Sequence, residues 1–200
     1  MIISMDMYIV GLGNPGEEYK GSRHNVGRII LEKFGKKFDF SDWEFDKKSQ
    51  ALVSEGKVGK TKTKLILPET FMNKSGVSVK KFVTSKKKAQ DLVVVYDEID
   101  LPLGTTKIVF NRGSGGHKGI ESVIRTLGTK EFARLRVGIS PSTPSGKIKK
   151  PNGEQKVVDF VLGKFSKREL ETLKKVEKKM VEALECIVTE GRAVTMNKFN

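Results

Sequence analysis

The chain has 200 residues, of which 37% are hydrophobic and 31% charged, a composition typical of a globular domain and unlike that of a disordered chain. Lysine and arginine outnumber aspartate and glutamate by 38 to 24, which gives a net charge of +14. Such an excess favours polyanionic partners, nucleic acid above all, but says nothing about the fold.

The chain opens with an apolar segment, MIISMDMYIVGLG, in which Met7–Leu12 ends at glycines and is predicted to form a buried strand. This segment has neither the basic leader nor the small-residue cleavage site of a signal peptide. No run of the sequence approaches the roughly 20 apolar residues that a bilayer requires. We therefore expect a cytoplasmic protein without membrane contact.

Strands and helices alternate along the next part of the chain. The strongest strand is LVVVY at Leu92–Tyr96, which is β-branched and expected near the centre of a sheet. The other predicted elements are a helix over Val26–Phe34, strands over Ala51–Val58 and Lys64–Leu67 around a turn at Gly59–Lys62, a helix over Val77–Phe82, a strand over Lys107–Phe110, a helix over Lys118–Leu127 and a strand over Leu135–Ile139.

The C-terminal part contains a loop and a long helix. Residues 141–156 are rich in proline, glycine, serine and lysine and are predicted to form a mobile basic loop. An amphipathic helix is predicted over residues 166–190, with a capping box between Ser166 and Glu169. Its apolar stripe is predicted to pack in the core and consists of Leu170, Leu173, Val176, Met180, Leu184 and Ile187.

The lone cysteine, Cys186, lies in this helix, where a buried side chain is expected. A single cysteine also excludes an internal disulfide framework and fits a reducing compartment. Together the elements predict an α/β fold, in which a single domain of residues 1–200 contains a twisted, mixed and largely parallel β-sheet with helices on both faces.

The first group of glycines matches the spacing of a dinucleotide-binding motif but lacks the helix that this motif requires. Gly11, Gly13 and Gly16 have the G-x-G-x-x-G spacing directly after a strand. That fingerprint requires a helix at the turn, whose amides hold a pyrophosphate, but Asn14-Pro15-Gly16 favours a turn and the next helix begins only near Asn25. We therefore expect no nucleotide cofactor and reject a dinucleotide oxidoreductase.

The chain has two histidines, and both lie in polar loops. His24 follows Ser22-Arg23, and His117 follows a glycine-rich stretch, so each could face either a site or plain solvent. Asp97 comes directly after LVVVY, and ligand crevices of open α/β sheets form at the carboxyl ends of strands. A carboxylate there can fix a histidine tautomer and stabilise its cation. Glu98 and Asp100 follow Asp97, so the alternative is that these carboxylates form an acidic turn that has no part in a site.

Other residues limit the kinds of reaction that the site could catalyse. Asn14 and Asn73 supply uncharged donors and acceptors near strand ends, although Asn73 could instead cap the next helix. The G-x-S-x-G motif of a nucleophilic serine is absent, and no cysteine or histidine cluster has metal-ligand spacing, so we expect no metal. These features indicate a mechanism in which a histidine deprotonates water and amides polarise a carbonyl.

The chain resembles bacterial-type peptidyl-tRNA hydrolases over nearly its whole length. The matching segments are Val10-Gly-Leu-Gly-Asn-Pro-Gly16 with Glu18-Tyr19, Arg23-His-Asn25, Phe71-Met-Asn73, Asp97-Glu-Ile-Asp-Leu-Pro102, Gly115-Gly-His-Lys-Gly119, Arg134-Leu-Arg-Val-Gly-Ile139 and Asp159-Phe-Val-Leu-Gly163. Each is short, but their shared order and spacing make the resemblance specific.

The resemblance implies a function and a set of site residues. His24 would be the general base on the water that attacks the ester between a peptide, or an N-blocked amino acid, and tRNA, with Asp97 orienting it. The enzyme would thereby recycle tRNA from peptidyl-tRNA dropped by ribosomes. Asn14 would contact the substrate near the peptide–tRNA junction and help to reject free aminoacyl-tRNA. The residues expected to hold the substrate and its tRNA are Tyr19, Phe71, Asn73, His117, Lys118 and Arg136.

The tRNA body is expected to bind basic residues between Thr105 and Arg136, because phosphate contacts position a substrate without specifying its sequence. By contrast, Lys87 and Lys88 are interpreted as a solvated surface run. The expected partner is peptidyl-tRNA, with no DNA, no cofactor and a monomeric state.

One position departs from the family pattern. The usual asparagine after the glycine-glycine-histidine run is Lys118 here, and lysine offers donors but no acceptor. Together with the basic charge, this departure leaves open an alternative, a non-catalytic RNA-binding protein of the same fold. The complete set of His24, Asp97 and asparagines favours the enzyme.

Overall fold

The computed structural model of the protein describes residues 7–200, so the first six residues of the apolar N-terminal segment lie outside the described part. Seven strands form one sheet in the order β2-β3-β4-β1-β5-β7-β6. The strands are β1 (Met7–Gly11), β2 (Glu44–Asp46), β3 (Ala51–Val58), β4 (Thr61–Pro68), β5 (Leu92–Pro102), β6 (Thr106–Phe110) and β7 (Ala133–Ser140).

The centre of the sheet is parallel and its flanks are antiparallel. Strands β4, β1, β5 and β7 run in one direction, whereas β2 and β3 on one side and β6 on the other complete the sheet by antiparallel pairing. Strand β5 lies between β1 and β7, with Val10 opposite Val94 and Tyr96 opposite Arg136. The carboxyl ends of β1 and β5 therefore meet at the same edge.

Helices cover both faces of this sheet. They are α1 (Val26–Lys37), α2 (Ser75–Lys80), α3 (Lys86–Ala89), α4 (Lys118–Leu127), α5 (Glu154–Leu162), α6 (Lys167–Glu190) and α7 (Arg192–Phe199). One apolar cluster joins the sheet to α1, α5 and α6, and a second joins its other face to α2, α3 and α4. The predicted α/β fold with a mixed sheet and two helical layers is confirmed. Among residues 7–200, no helix has the length and apolar composition needed to cross a membrane.

Several elements differ from the sequence-based expectations. Strand β2 and helices α3, α5 and α7 were not predicted, because they are short or carry charged residues among few apolar ones. Helix α5 begins at Glu154, so the loop expected over residues 141–156 ends at residue 153, and it contains a bridge between Ser142 and Ile148. Its mobility remains a prediction.

The long C-terminal helix has the predicted start. The Ser166 hydroxyl accepts from the Glu169 N–H, and the Glu169 carboxylate accepts from the Ser166 N–H, so the capping box is present. The predicted apolar stripe is buried except at Leu170, in the first turn of the helix, which is 42% exposed. Cys186 is buried, as expected.

Candidate active site

Two glycines let α1 begin directly against the carboxyl edge of the sheet. A Cβ on Gly27 would lie 2.3 Å from the Val95 carbonyl oxygen, and one on Gly11 would lie 2.5 Å from the Gly27 carbonyl oxygen. No side chain fits between backbones at these distances. This close approach places His24, in the 3-10 turn before α1, beside Asp97 on β5. Helix α1 starts at Val26, well beyond Gly16, in agreement with the rejection of a dinucleotide fingerprint.

A single oxygen of Asp97 connects both histidines. His24 Nδ1 lies 2.8 Å from Asp97 Oδ1, and His117 Nε2 lies 3.0 Å from the same oxygen. The Asp97 residue is only 2% exposed, and the ring centroids of the two histidines are 5.0 Å apart. The meeting of His24 and Asp97 that the sequence predicted is therefore present, and His117 joins the pair from the start of α4.

Hydrogen bonding fixes the tautomer of each imidazole. The Ile120 N–H donates to His117 Nδ1 at 3.2 Å, so that nitrogen carries no proton and Nε2–H of His117 donates to Asp97. The His24 Nδ1–H also donates to Asp97, which leaves the lone pair of His24 Nε2 free. Nε2 has no hydrogen-bond partner among the described residues, and His24 lines a cleft of about 380 Å³.

The carboxylate and the base perturb each other. Burial acts to raise the pKa of the Asp97 carboxyl, but electrostatic interactions and hydrogen bonds with His24 and His117 outweigh burial and hold that pKa well below its usual range. Burial likewise acts to lower the pKa of His24, and the Asp97 carboxylate outweighs it, so the pKa of His24 is raised. Asp97 is thus an anion that stabilises the imidazolium form of His24.

The same three side chains also have the composition of a metal site. One ligand atom from each of His24, Asp97 and His117 lies within 4.8 Å of the others. A metal on His117 Nε2 would require the proton on Nδ1, where it would face the Ile120 N–H. The backbone donor therefore favours a hydrogen-bonded cluster over a metal centre.

Asn14 is held beside this cluster by a second asparagine. The Asn25 side chain accepts from the Asn14 N–H at 2.8 Å and donates to the Asn14 carbonyl oxygen at 2.9 Å. The Asn14 side-chain oxygen accepts from the Met72 N–H at 2.8 Å. Since the oxygen is occupied, the Nδ2 group is the end of Asn14 that remains available as a donor.

The sequence model of the peptidyl-tRNA hydrolase family matches residues 8–200. The chain belongs to this family. Relatives named peptidyl-tRNA hydrolase include one from Syntrophotalea carbinolica, 39% identical over 96% of this chain and 95% of the relative, and one from Herpetosiphon aurantiacus, 44% identical over 96% and 89%. The crystal structure of peptidyl-tRNA hydrolase from Acinetobacter baumannii superposes with a TM-score of 0.87 and 29% identity, covering 100% of this chain and 97% of that one.

These comparisons confirm the family, the fold and the hydrolase activity expected from the sequence. The family is one of ester hydrolases, and His24 and Asp97 lie together as such a reaction needs. The remaining features of the site concern how this hydrolase surrounds that pair.

Tyr19 and Phe71 form an aromatic pair next to Met72, whose N–H binds Asn14, and neither ring lines the cleft of His24. The rings of Tyr19 and Phe71 meet edge to face with centroids 6.5 Å apart, and Phe71 is 56% exposed. Asn73 is also exposed, in the 3-10 turn Met72–Lys74. The alternative that Asn73 caps the next helix is wrong, because the N-cap of α2 is Lys74.

The loop that carries His117 is anchored by a buried arginine that the sequence analysis did not single out for this role. Arg134, on β7, is fully buried and donates to the carbonyl oxygens of Arg112 and Gly113, the latter at 2.9 Å. Its position inside a strand hid this role, since an arginine in a strand gives no indication of the loop it meets. Lys118, which follows His117, is exposed and lines the cleft of His24.

Arg136 lies in a neighbouring pocket of about 310 Å³, together with Arg112 and Arg134. Its Nε donates to the Glu98 carboxylate at 2.8 Å, while its Nη groups have no hydrogen-bond partner within residues 7–200. Arg136 therefore keeps donors for a ligand although its charge is partly compensated by Glu98.

A further arginine, Arg23, connects the turn that contains His24 to the C-terminal helices. Its guanidinium makes two hydrogen bonds to the Glu169 carboxylate at 3.1 and 3.0 Å, and stacks 4.6 Å from the centroid of Phe160 on α5. This clamp fixes the turn that contains His24. Its residues are 146 positions apart in sequence, so the contact could not be predicted.

Proposed function

We propose that His24 is the general base that activates water against the ester bond of peptidyl-tRNA. The observation that carries this role is the tautomer of His24, with Nδ1–H on Asp97 and the Nε2 lone pair free beside the cleft. Water bound at Nε2 gives its proton to His24 while its oxygen attacks the ester carbonyl carbon. General-base assistance of this kind is worth roughly 10²- to 10⁴-fold in rate.

The proton then leaves with the tRNA. The tetrahedral intermediate collapses by breaking the bond between carbonyl carbon and ribose oxygen, and the His24 imidazolium returns its proton to that oxygen. The products are a tRNA hydroxyl and a peptide carboxylic acid, which releases its remaining proton to solvent as a carboxylate. Asp97 stays ionised throughout, because its pKa is held low, and so stabilises the imidazolium without taking the proton.

Asn14 is proposed as the donor that recognises the peptide side of the ester. Its oxygen is occupied by the Met72 N–H, so its Nδ2–H groups can donate to a substrate carbonyl. An unblocked aminoacyl-tRNA presents an α-ammonium, which has donors only. Two donors cannot pair, and this contact therefore discriminates against free aminoacyl-tRNA.

The 3′ end of the tRNA is proposed to bind at Tyr19, Phe71 and Asn73. The exposed Phe71 ring offers a stacking surface for an unpaired base, and Tyr19 supports it from the side. Stacking of this kind is worth about 1–3 kcal/mol per base. We expect Phe71→Ala to raise the KM of the substrate and leave kcat nearly unchanged.

Arg136, Lys118 and His117 complete the proposed binding set. The free Nη groups of Arg136 would contact a phosphate, and the exposed Lys118 would contribute a cation at the cleft. His117 would hold Asp97 through its Nε2–H. Arg136→Ala is expected to weaken tRNA binding and to reduce the slope of log affinity against log salt by about 1. Because peptidyl-tRNA arises in translation, we infer that the protein acts in the cytoplasm.

The decisive experiment measures release of N-acetyl-amino acid from N-acetyl-aminoacyl-tRNA by the wild type and by His24→Ala. We expect the variant to bind tRNA normally but to lose nearly all turnover. Asp100→Asn is the matched control, since Asp100 lines the same cleft but pairs with Lys150, and its turnover should match the wild type. Unchanged turnover in His24→Ala would refute the proposed base, and RNA binding without wild-type turnover would favour a non-catalytic RNA-binding protein.

A further inference from the structure

A second basic surface lies at the edge of the sheet opposite the catalytic cleft. It is formed by the β3–β4 hairpin and by the segment from the end of α2 to α3, which precedes β5. We call it the lysine surface, and its members are Lys57, Lys60, Lys62, Lys64, Lys80, Lys81, Lys86, Lys87 and Lys88.

The strand register places the hairpin lysines side by side. Lys57 is the cross-strand partner of Lys62, and Glu55 is the partner of Lys64, so these side chains share one face of the sheet. Like charges directly opposite each other destabilise a strand pair. A bound polyanion would offset that repulsion.

Aromatic side chains lie among these lysines. Lys64 Nζ lies 5.6 Å from the centroid of Phe82, which connects the hairpin to the lysines of α2 and α3. Tyr8 on β1 is in register with Lys64, and both line a groove of about 710 Å³ with Lys57 and Lys62. The contact with Phe82 helps to fix the position of the Lys64 charge within the surface.

The charge of the lysine surface is poorly compensated. The carboxylates near these nine lysines include Asp39, Glu55 and Asp91, of which Glu55 is paired with Lys64 at 2.6 Å. Glu190 follows Thr189, which lies against Gly59 at the hairpin tip, and is paired with Lys198. Eight of the nine lysines are exposed. One exposed apolar side chain, Val77 on α2, borders this surface one helical turn before Lys80 and Lys81, whereas a membrane-binding surface normally inserts several large apolar residues. The chemistry therefore fits a phosphate backbone better than a lipid bilayer.

The lysine surface lies away from the catalytic cleft, so an RNA can occupy it while the ester end of a tRNA lies in the cleft. Leu92 begins β5 at this edge, and Asp97 lies five residues farther along the strand, or roughly 17 Å. On the catalytic side, Lys118 and Arg136 are the residues already proposed to contact the tRNA. We propose that the lysine surface binds the phosphate backbone of a second, double-stranded RNA while tRNA occupies the cleft.

The test uses an RNA duplex of about 20 base pairs without an acceptor end, long enough to span a protein module. Its binding is measured by fluorescence anisotropy at several salt concentrations. The variant carries Lys57→Gln, Lys62→Gln, Lys81→Gln and Lys86→Gln, and the control of equal charge carries Lys174→Gln, Lys175→Gln, Lys178→Gln and Lys179→Gln on the exposed face of α6.

We expect the variant to bind the duplex at least about tenfold more weakly and its slope of log affinity against log salt to fall by about 3–4. The same slope should fall by less than about 1 in the control. The His24→Ala protein saturated with N-acetyl-aminoacyl-tRNA should still bind the duplex. Hydrolysis by the lysine variant should keep its kcat and KM, so this result is separable from failure of the catalytic proposal.

Three results would overturn the proposal. An equal loss of duplex binding in the α6 control would show that only net charge matters. A KM for tRNA that rises as much as duplex affinity falls would assign the surface to the tRNA being hydrolysed. Tighter binding of phosphatidylserine vesicles than of duplex RNA would assign it to an anionic lipid surface.

Discussion

Replacing Asp97 by asparagine removes one charge from the site and little else. Asparagine has the same shape and keeps a carbonyl oxygen that can accept from His24 Nδ1–H, at present 2.8 Å from Asp97 Oδ1. Two unit charges about 4 Å apart interact by about 4 kcal/mol at an effective dielectric constant near 20. Since 1.36 kcal/mol is a factor of ten in rate, we expect kcat to fall by roughly 10²- to 10³-fold.

The pH dependence provides a second readout of the same variant. In the wild type the carboxylate raises the pKa of His24 against the opposing effect of burial. His24 acts as a base only when neutral, so activity is lost as the pH falls through that pKa. Without the carboxylate, the effect of burial dominates and lowers the pKa of His24. The acid limb of the kcat/KM profile should therefore move to lower pH.

Single-turnover release of N-acetyl-amino acid across a pH series measures both effects. Asp100→Asn is the control, because Asp100 lines the same cleft but pairs with Lys150 instead of a histidine. We expect its profile to match the wild type. Full turnover by Asp97→Asn, or an acid limb that stays in place or moves to higher pH, would refute the electrostatic role of Asp97.

Three further changes test the framework of the site. In a denaturant titration, Gly27→Ala should lower the free energy of unfolding by about 1–3 kcal/mol or more, because its Cβ would lie 2.3 Å from the Val95 oxygen. Gly113→Ala is the control and should change that free energy little, because a Cβ at Gly113 meets nothing within 4 Å. Arg134→Lys should lower kcat roughly 10- to 100-fold and leave tRNA affinity nearly unchanged, because lysine cannot bind both loop carbonyls. An unchanged kcat would show that this contact to the loop does not contribute to catalysis. Ser166→Ala should cost about 1 kcal/mol of stability by breaking the capping box, and thermal unfolding with an unchanged Tm would contradict that.

Local patterns in the sequence were sufficient for much of the fold. The β-branched run at the start of β5 and the helix Lys118–Leu127 lie where the sequence predicted them, because hydrophobic periodicity and β-propensity act over neighbouring residues. Elements without such a signal were missed. Strand β2 is three residues of Glu-Phe-Asp, and it forms only because β3 offers an unpaired edge.

The sequence by itself determined which groups could do chemistry: two histidines, and one carboxylate at the end of a buried strand. Only the tertiary structure decided that both histidines share one oxygen of Asp97, and that the Ile120 N–H sets the tautomer of His117. The arginine that anchors the His117 loop and the pairing of Asn14 with Asn25 were decided in the same way. Hydrogen bonds depend on distances of a few tenths of an ångström between segments that are remote in the chain. Those distances are set by the packing of the whole sheet and its helices.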